Sequence, residues 1–260
     1  SRGCVYNCSY CVNSAFKEIY KGLGKFFRVR PFDNLQEAIK NRVQAGCDML
    51  QLQDECFFSV QYSVLERFCK WYQKEVRIPL LVQTRPESVT VEKVKLLADM
   101  GVPVQVSCGV ESGSQRILRN ICNRSTKIEQ IKNVFHLIKK YNLRSTAYTM
   151  IGFPTETRAE VFETIHLIRE CKIDISMSIF FPFQGVPLRK YCLENKYITG
   201  REETRTFTDA SILQNQPMSQ QEIYNLRRTY SLYTRLPEEY FSQIELCERD
   251  HENHKELFNE

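Results

Sequence analysis

The sequence predicts an α/β fold, namely a partial (β/α)6 TIM-like barrel followed by a small helical C-terminal extension. The first observation is that short apolar segments alternate with amphipathic helical segments along residues 1–200. The second is that this unit recurs at intervals of roughly 30 residues, which is typical of parallel strands joined by crossover helices. The third is that the alternation stops near residue 200, so residues 1–200 are the predicted core and residues 201–260 the extension.

Five apolar strands are predicted, and a sixth, which would precede Ser1, is at most a stub. Six such units make an incomplete barrel, since a closed one has eight. Chemistry in folds of this kind takes place at the carboxyl ends of the strands, so the loops after the strands are the candidate sites. The predicted strands cover residues 48–52, 78–82, 103–107, 144–151 and 174–181.

Helix starts are predicted from capping boxes, in which a Ser, Thr or Asn stands three residues before a Glu. The last of these boxes opens the amphipathic helix of the extension. The charged segment 250–260 is expected to fray, as chain ends without packing do. The boxes occupy residues 34–37, 126–129, 157–160 and 219–222.

Composition restricts the class of protein. The chain has 260 residues, of which 42% are hydrophobic, which suffices for one large packed domain. We expect no targeting leader and no membrane span, because no run approaches ~18 apolar residues. Eleven scattered cysteines in a chain of this length do not suggest a secreted disulfide framework. Most are expected to be buried thiols in a reducing, cytoplasmic compartment.

The functional prediction depends on Cys4, Cys8 and Cys11, which follow a C-x3-C-x2-C spacing with Tyr10 directly before the third. Three thiolates this close in sequence can face one point. A cubane iron–sulfur cluster takes four ligands, usually thiolates, so three would leave one iron open. A structural zinc site would need a fourth protein ligand. A zinc site completed by a distant residue and three unrelated thiols therefore stay open as alternatives.

With this motif ahead of a β/α chain of this length, the sequence resembles the radical S-adenosylmethionine (SAM) superfamily. Three strand-end segments carry the same resemblance, namely residues 109–118, 151–154 and 181–188. Together the matches cover about residues 1–200. Within the superfamily the chain most resembles members that carry a cobalamin-binding domain upstream, and we find no such domain in these 260 residues.

The resemblance implies that Cys4, Cys8 and Cys11 hold a [4Fe–4S] cluster whose open iron binds the amino and carboxylate groups of SAM. Reductive cleavage of SAM would then give a 5′-deoxyadenosyl radical that takes hydrogen from a small-molecule or peptide substrate. Flavodoxin or ferredoxin would supply the electron. Cobalamin-dependent methylation or rearrangement is one outcome, with cobalamin bound by the upstream domain.

Two other functions remain alternatives. The first is methylthiolation of tRNA or protein, which the five basic residues between Lys17 and Arg30 favour weakly, although such charge runs are usually solvated faces. The second is a non-catalytic iron–sulfur or zinc-binding protein.

The resemblance also indicates cofactor-binding residues. Tyr10 would pack against the adenine of SAM, or else only pack the loop. Asp54 and Glu55 follow the strand at 48–52, where the family often has a Gly-Gly-Glu run that binds the methionine ammonium; either could instead cap a helix. Arg85 follows the next strand and could bind a carboxylate or form a structural ion pair.

Four further positions complete the predicted cofactor site, and no catalytic residue is predicted. Glu111 could accept hydrogen bonds from the ribose hydroxyls of SAM. Ser112 could donate to polar groups of SAM or cap the helix that follows. Gly152 and Pro154 suit a loop whose backbone approaches the flat adenine, because Gly has no side chain and Pro stiffens the turn. An ordinary strand-to-helix turn explains them equally well.

Overall fold

The computed structural model describes residues 1–202 and 210–250. Within this part of the chain, consecutive strands are neighbours in a single five-stranded sheet. β1 pairs with β2 in parallel, and β2 with β3, with Leu80 opposite both Leu50 and Val104. The predicted α/β class with a partial TIM-like barrel is confirmed. The strands are β1 (Leu50–Gln51), β2 (Leu80–Thr84), β3 (Val104–Glu111), β4 (Arg144–Ile151) and β5 (Asp174–Ile179).

Nine α-helices lie in the described residues, and helices separate successive strands from β1 onward. The last two belong to the region predicted as a helical extension. The helices are α1 (Val12–Ile19), α2 (Phe32–Gln44), α3 (Tyr62–Glu75), α4 (Val91–Ala98), α5 (Ile128–Lys140), α6 (Arg158–Cys171), α7 (Pro187–Glu194), α8 (Gln220–Arg235) and α9 (Phe241–Arg249).

Two of the four predicted capping boxes are present. The Thr157 side chain accepts from the backbone N–H of Glu160, whose carboxylate accepts from the Thr157 N–H. Ser219 and Glu222 make the same reciprocal pair at the start of α8. Each box satisfies two backbone donors that the first helical turn leaves unpaired.

The other two capping-box predictions were wrong. Helix α2 begins at Phe32, before the predicted box, with Pro31 as its N-cap residue. Proline suits a helix start because its backbone angle is already fixed near the helical value and it has no N–H to satisfy. Helix α5 begins after Lys127 without a side-chain cap. The hydroxyl of Thr126, which the box assigned to capping, instead donates to the carboxylate of Glu87.

The chain forms two compact units. The first comprises Ser1–Asn7, Asn13–Val110 and Thr126–Ala147. Side chains of α3, α4, α5, β2 and β3, together with those of the turn before α3, fill its interior. The least exposed of them include Phe58, Leu65, Tyr72, Leu80, Val82 and Leu97.

The second unit comprises Cys8–Val12, Glu111–Ser125 and Tyr148–Glu260. One of its described cores combines residues of β4, β5, α6, α8 and α9. The Arg158 guanidinium of α6 binds the Glu248 carboxylate of α9 through two hydrogen bonds of 2.5 and 2.9 Å. Tyr233 of α8 donates to the same carboxylate at 3.1 Å. Helices α8 and α9 are thus integral to this unit, and the domain boundary at residue 200 stays a prediction.

None of the described helices combines the length and apolarity needed to cross a membrane. The segment 203–209 and the charged end 251–260, which was expected to fray, lie outside the described residues.

Candidate functional site

The cysteine loop, residues 4–11, leads directly into helix α1. The backbone N–H of Cys11 donates to the carbonyl of Cys8 at 3.3 Å. All eleven cysteines lie in the described residues, and none forms a disulfide. As placed, no three His, Cys, Asp or Glu side chains of the described residues stand close enough to hold a metal ion. The donor set itself, three thiols within eight residues, suits a cubane cluster with one open iron.

The start of the loop is anchored at Gly3, which has a φ of +77°. A Cβ atom there would lie 2.4 Å from the carbonyl oxygen of Phe26, so only glycine fits. The neighbouring Arg2 and Arg28 exchange two backbone hydrogen bonds of 2.8 and 2.9 Å. The residue before Cys4 is therefore fixed by backbone contacts.

Tyr6, between the first two cysteines, is held within the first unit. The guanidinium of Arg85 lies over the Tyr6 ring, 3.8 Å from its centroid. The ammonium group of Lys17 donates to the Tyr6 carbonyl. Burial, followed by nearby Cys56 and Glu87, raises the pKa of the Tyr6 phenol to about 12, so the ring stays neutral. Arg85, proposed from the sequence as a carboxylate ligand, thus contacts the cysteine loop.

Ser9, between the second and third cysteines, is held within the second unit. Its N–H donates to the carbonyl of Cys122 at 3.1 Å, and its hydroxyl donates to the carbonyl of Ile121. Its own carbonyl accepts from the N–H of Leu188 at 2.9 Å. Ser9 thereby has its backbone N–H, backbone carbonyl and side chain all engaged, which fixes the chain between Cys8 and Cys11.

Tyr10 packs edge-on against Phe153, with the ring centroids 6.0 Å apart. Phe153 belongs to the loop after β4 that contains Gly152 and Pro154, so the structure brings these predicted site residues together. Burial and the nearby Glu111 carboxylate raise the pKa of the Tyr10 phenol well above its ordinary value. Tyr10 is accordingly a neutral, packed side chain beside the predicted adenine loop.

Glu111 ends β3 in the left-handed backbone region, with a φ of +67°. Its carboxylate accepts a hydrogen bond of 2.9 Å from the guanidinium of Arg124. Both residues are buried, Arg124 being only 2% exposed. A buried cation therefore balances the charge of the carboxylate that the sequence assigns to the ribose hydroxyls.

Ser112 begins the turn after β3 and contacts that turn. Its hydroxyl accepts from the N–H of Ser114 at 3.1 Å and lies 3.4 Å from the Thr164 hydroxyl of α6. Thr164 also accepts from the N–H of Gly113 at 2.7 Å. The described contacts of Ser112 are therefore those of a residue that shapes a turn.

Asp54 and Glu55 both follow β1 but contact different partners. The Asp54 carboxylate accepts from the Ser1 hydroxyl at 2.6 Å. The Glu55 carboxylate accepts from the Asn13 amide at 2.8 Å, which ties it to the first turn of α1, directly after Cys11. The short helix that follows has no side-chain cap, so neither acid fills the helix-capping alternative.

Comparison with known proteins decides the family. Residues 1–168 match the model of the Radical SAM superfamily. The chain belongs to the radical SAM superfamily. The resemblance noted from the cysteine motif and the strand-end segments is thereby confirmed.

This radical SAM chain is similar to an uncharacterised methyltransferase of Pyrococcus horikoshii, with 26% identity over 239 residues covering 90% of the chain and 50% of the relative. It is 24% identical to a ribosomal protein methylthiotransferase of Thermosipho melanesiensis over 67% of the chain and 41% of the relative. The chain thus spans about half or less of the length of these relatives.

A solved structure shares the fold of the radical SAM chain. It is the radical SAM methyltransferase TsrM from Kitasatospora setae, with cobalamin and a [4Fe–4S] cluster bound. The TM-score is 0.62 at 17% identity, and the alignment covers 74% of this chain and 38% of TsrM. At this level of identity the likeness is one of fold.

Glu156 is a residue of the radical SAM chain that the sequence reasoning missed. One carboxylate oxygen, Oε2, accepts from the N–H groups of Gly152 and Phe153 at 2.7 and 3.2 Å. The other, Oε1, is buried without a hydrogen-bond partner in the described residues. Burial raises the pKa of this carboxyl to about 8, so it is protonated at neutral pH. The sequence feature that could have indicated Glu156 is its position two residues after Pro154, in the loop that was already predicted to approach the adenine.

Glu156 should make the stability of the protein depend on pH. Its folded pKa of about 8 lies above its ordinary value of 4.5. Unfolding therefore releases a proton between these pH values, and the free energy of unfolding falls as pH rises from 4.5 to 8. At ~1.4 kcal/mol per pKa unit, the total is on the order of a few kcal/mol.

We expect the substitution E156Q to flatten this slope in urea unfolding between pH 5 and 8, because glutamine keeps the acceptor oxygen without ionising. Replacing the exposed Glu163 on α6 by Gln is the matched control and should leave the slope unchanged. A slope identical in wild type and E156Q would contradict the assignment.

Proposed function

We propose that this chain is the radical SAM core of a methyltransferase, with Cys4, Cys8 and Cys11 as the ligands of a [4Fe–4S] cluster. The observation that carries the proposal is the cysteine loop itself. It offers three thiols, none in a disulfide, on a segment anchored at Gly3, Tyr6 and Ser9. The superfamily match over residues 1–168 supports it.

The cluster and SAM supply the electron transfer and the radical that start the reaction. The protein would hold and orient them. The loop at Gly152, where Tyr10 packs against Phe153, would present backbone and an apolar wall to the adenine. Glu111, at the carboxyl end of β3, would accept hydrogen bonds from the ribose hydroxyls through its carboxylate. Glu55, whose carboxylate accepts from the Asn13 amide of α1, would meet the methionine ammonium.

The methyltransferase assignment is supported by the Pyrococcus horikoshii relative, which is named a methyltransferase. TsrM binds cobalamin, and this chain spans 38% of TsrM. We therefore propose that cobalamin is bound by a domain outside these 260 residues. The substrate would be a small molecule or peptide, and a flavodoxin or ferredoxin of a reducing compartment would donate the electron.

Anaerobic reconstitution tests the core of the proposal. Wild-type protein should bind four iron and four sulfide ions per chain and, with dithionite and SAM, should release 5′-deoxyadenosine. The C8A variant should lose the cluster and all turnover, since each cluster ligand is needed. Iron and sulfide analysis measures the cluster content, and chromatography of the products measures turnover.

The matched control is C47S, which changes a cysteine outside the loop and keeps a hydroxyl to donate to the Met49 carbonyl, 2.9 Å from the thiol. It should retain cluster and turnover. Zinc without sulfide in the wild type, or a cluster that survives C8A, would show that the loop serves another purpose.

Methylthiolation is a second candidate because one relative is a ribosomal protein methylthiotransferase. Residues 17–30 contain five basic residues and one acid, which would suit an RNA-rich target. Binding to tRNA or ribosomal RNA whose affinity falls steeply with salt would favour this candidate.

A further inference from the structure

The cysteine loop carries a side chain whose role the proposed function does not explain. Tyr6 lies between Cys4 and Cys8 and has no part in the expected ligand set. It is nevertheless held by two cations, with the Arg85 guanidinium over its ring and the Lys17 ammonium on its carbonyl. A side chain held this way restricts the backbone that joins the two cysteines.

Arg85 is itself fixed by a carboxylate. Its Nε and Nη2 atoms donate to the two oxygens of Glu87 at 3.2 and 2.5 Å, the paired geometry in which guanidinium binds carboxylate best. The hydroxyl of Thr126, ahead of α5, donates to Glu87 as well. Arg85 is 9% exposed, so this arrangement is largely shielded from water.

The flat face of the Arg85 guanidinium contacts the Tyr6 ring. One edge of the group is bound to Glu87, and the Tyr6 ring lies 3.8 Å from the guanidinium carbon. Stacking of this kind stabilises most when it is removed from water. A carboxylate of SAM would have to compete with Glu87 for the edge formed by Nε and Nη2.

We propose that Arg85, oriented by Glu87, is a positioning residue that holds the cysteine loop through Tyr6 and is not the ligand of the SAM carboxylate. The identity of the group that the loop binds rests on the proposed function, whereas the contact between Arg85 and Tyr6 does not. Loss of either side chain should free the segment between Cys4 and Cys8.

The first test uses the metal-free protein. Cys4 is alkylated with iodoacetamide, and the rate is followed by mass spectrometry in wild type, R85L, Y6L and the double variant. We expect each single variant to react about tenfold faster than wild type, the factor that corresponds to ~1.4 kcal/mol. The double variant should react no faster than either, because both changes break the same contact.

Two controls identify the contact itself. Y6F keeps the ring and loses only the hydrogen bond between the phenol and Ser88, so it should react as wild type does, whereas Y6L should not. Cys47, which lies outside the loop, should be alkylated at one rate in all variants. Thermal unfolding of each variant reports its folding; should R85L not fold, R85K takes its place, since lysine loses the paired contact to Glu87.

The second test uses reconstituted protein and separates positioning from SAM binding. A positioning role predicts that R85K and Y6L lower iron content together, with the KM for SAM of the loaded fraction unchanged. If Cys4 alkylation is the same in R85L, Y6L and wild type, or if R85K raises the KM for SAM while Y6L does not, the inference is overturned. Should the wild type bind no cluster, the proposed function fails, and the alkylation arm still decides the role of Arg85.

Discussion

Replacing Arg124 by methionine is expected to lower the free energy of unfolding by ~3–5 kcal/mol, the usual consequence of leaving a buried charge without its partner. The Arg124 guanidinium donates to the Glu111 carboxylate at 2.9 Å, and its side chain is completely buried. Methionine fills a similar volume but offers no donor. Urea unfolding at neutral pH measures the loss.

The double variant E111Q/R124M is the matched control. It removes the carboxylate charge together with the cation, so it should recover much of the stability lost in R124M. Buried ion pairs replaced on both sides by uncharged groups are often tolerated well. If R124M alone is as stable as wild type, or the double variant is no better than R124M, the ion pair does not stabilise this turn. E111Q also tests the proposed ribose contact, because an amide oxygen can still accept a hydrogen bond.

Replacing Gly113 by alanine should lower the free energy of unfolding by about 3 kcal/mol, the upper part of the range for overpacked interiors. An added Cβ would stand 2.6 Å from the Glu163 carbonyl oxygen, 2.6 Å from the Thr164 Cα and 2.7 Å from the Thr164 nitrogen. All three atoms are backbone of α6 and cannot rotate away. The turn that carries Ser112 would therefore have to move.

The control for this substitution is G46A. Gly46 has a φ of +90° with no atom within 4 Å of the added Cβ, so only backbone strain acts there. That strain should cost about 1 kcal/mol. If G113A and G46A lowered the free energy of unfolding by the same amount, α6 would be able to move away from the added methyl group, and the prediction for G113A would be wrong.

The architecture was predictable because it depends on local periodicity. Alternating apolar strands and amphipathic helices can be recognised in short windows, and parallel order follows from the crossover helices. The cysteine ligand set can be proposed from the sequence for the same reason, since all three thiols lie within eight residues. The contact of Tyr10 with Phe153, in the loop after β4, agrees with the rule that ligand sites form at the carboxyl ends of the strands.

The remaining features depend on contacts between residues distant in sequence. The capping pattern at Thr126 could not reveal that its hydroxyl turns to Glu87. Nothing around Arg85 in the sequence indicates Tyr6 as its partner. In the sequence Glu156 looks like an ordinary acidic loop residue. Only the structure shows that its carboxyl group is buried and accepts hydrogen bonds from two backbone N–H groups. Local pattern specifies the elements, and packing between distant elements specifies these roles.

The anchoring of the cysteine loop has a consequence for how iron enters the protein. Ordering a flexible residue costs about 1–2 kcal/mol of chain entropy. Gly3, Tyr6 and Ser9 are held by contacts that need no metal, so part of this entropy is lost when the chain folds. Assembly of the proposed cluster would then have mainly the three thiol side chains left to order. The loop backbone is therefore partly ordered before any metal binds. A zinc finger differs, because it folds only when its ion binds.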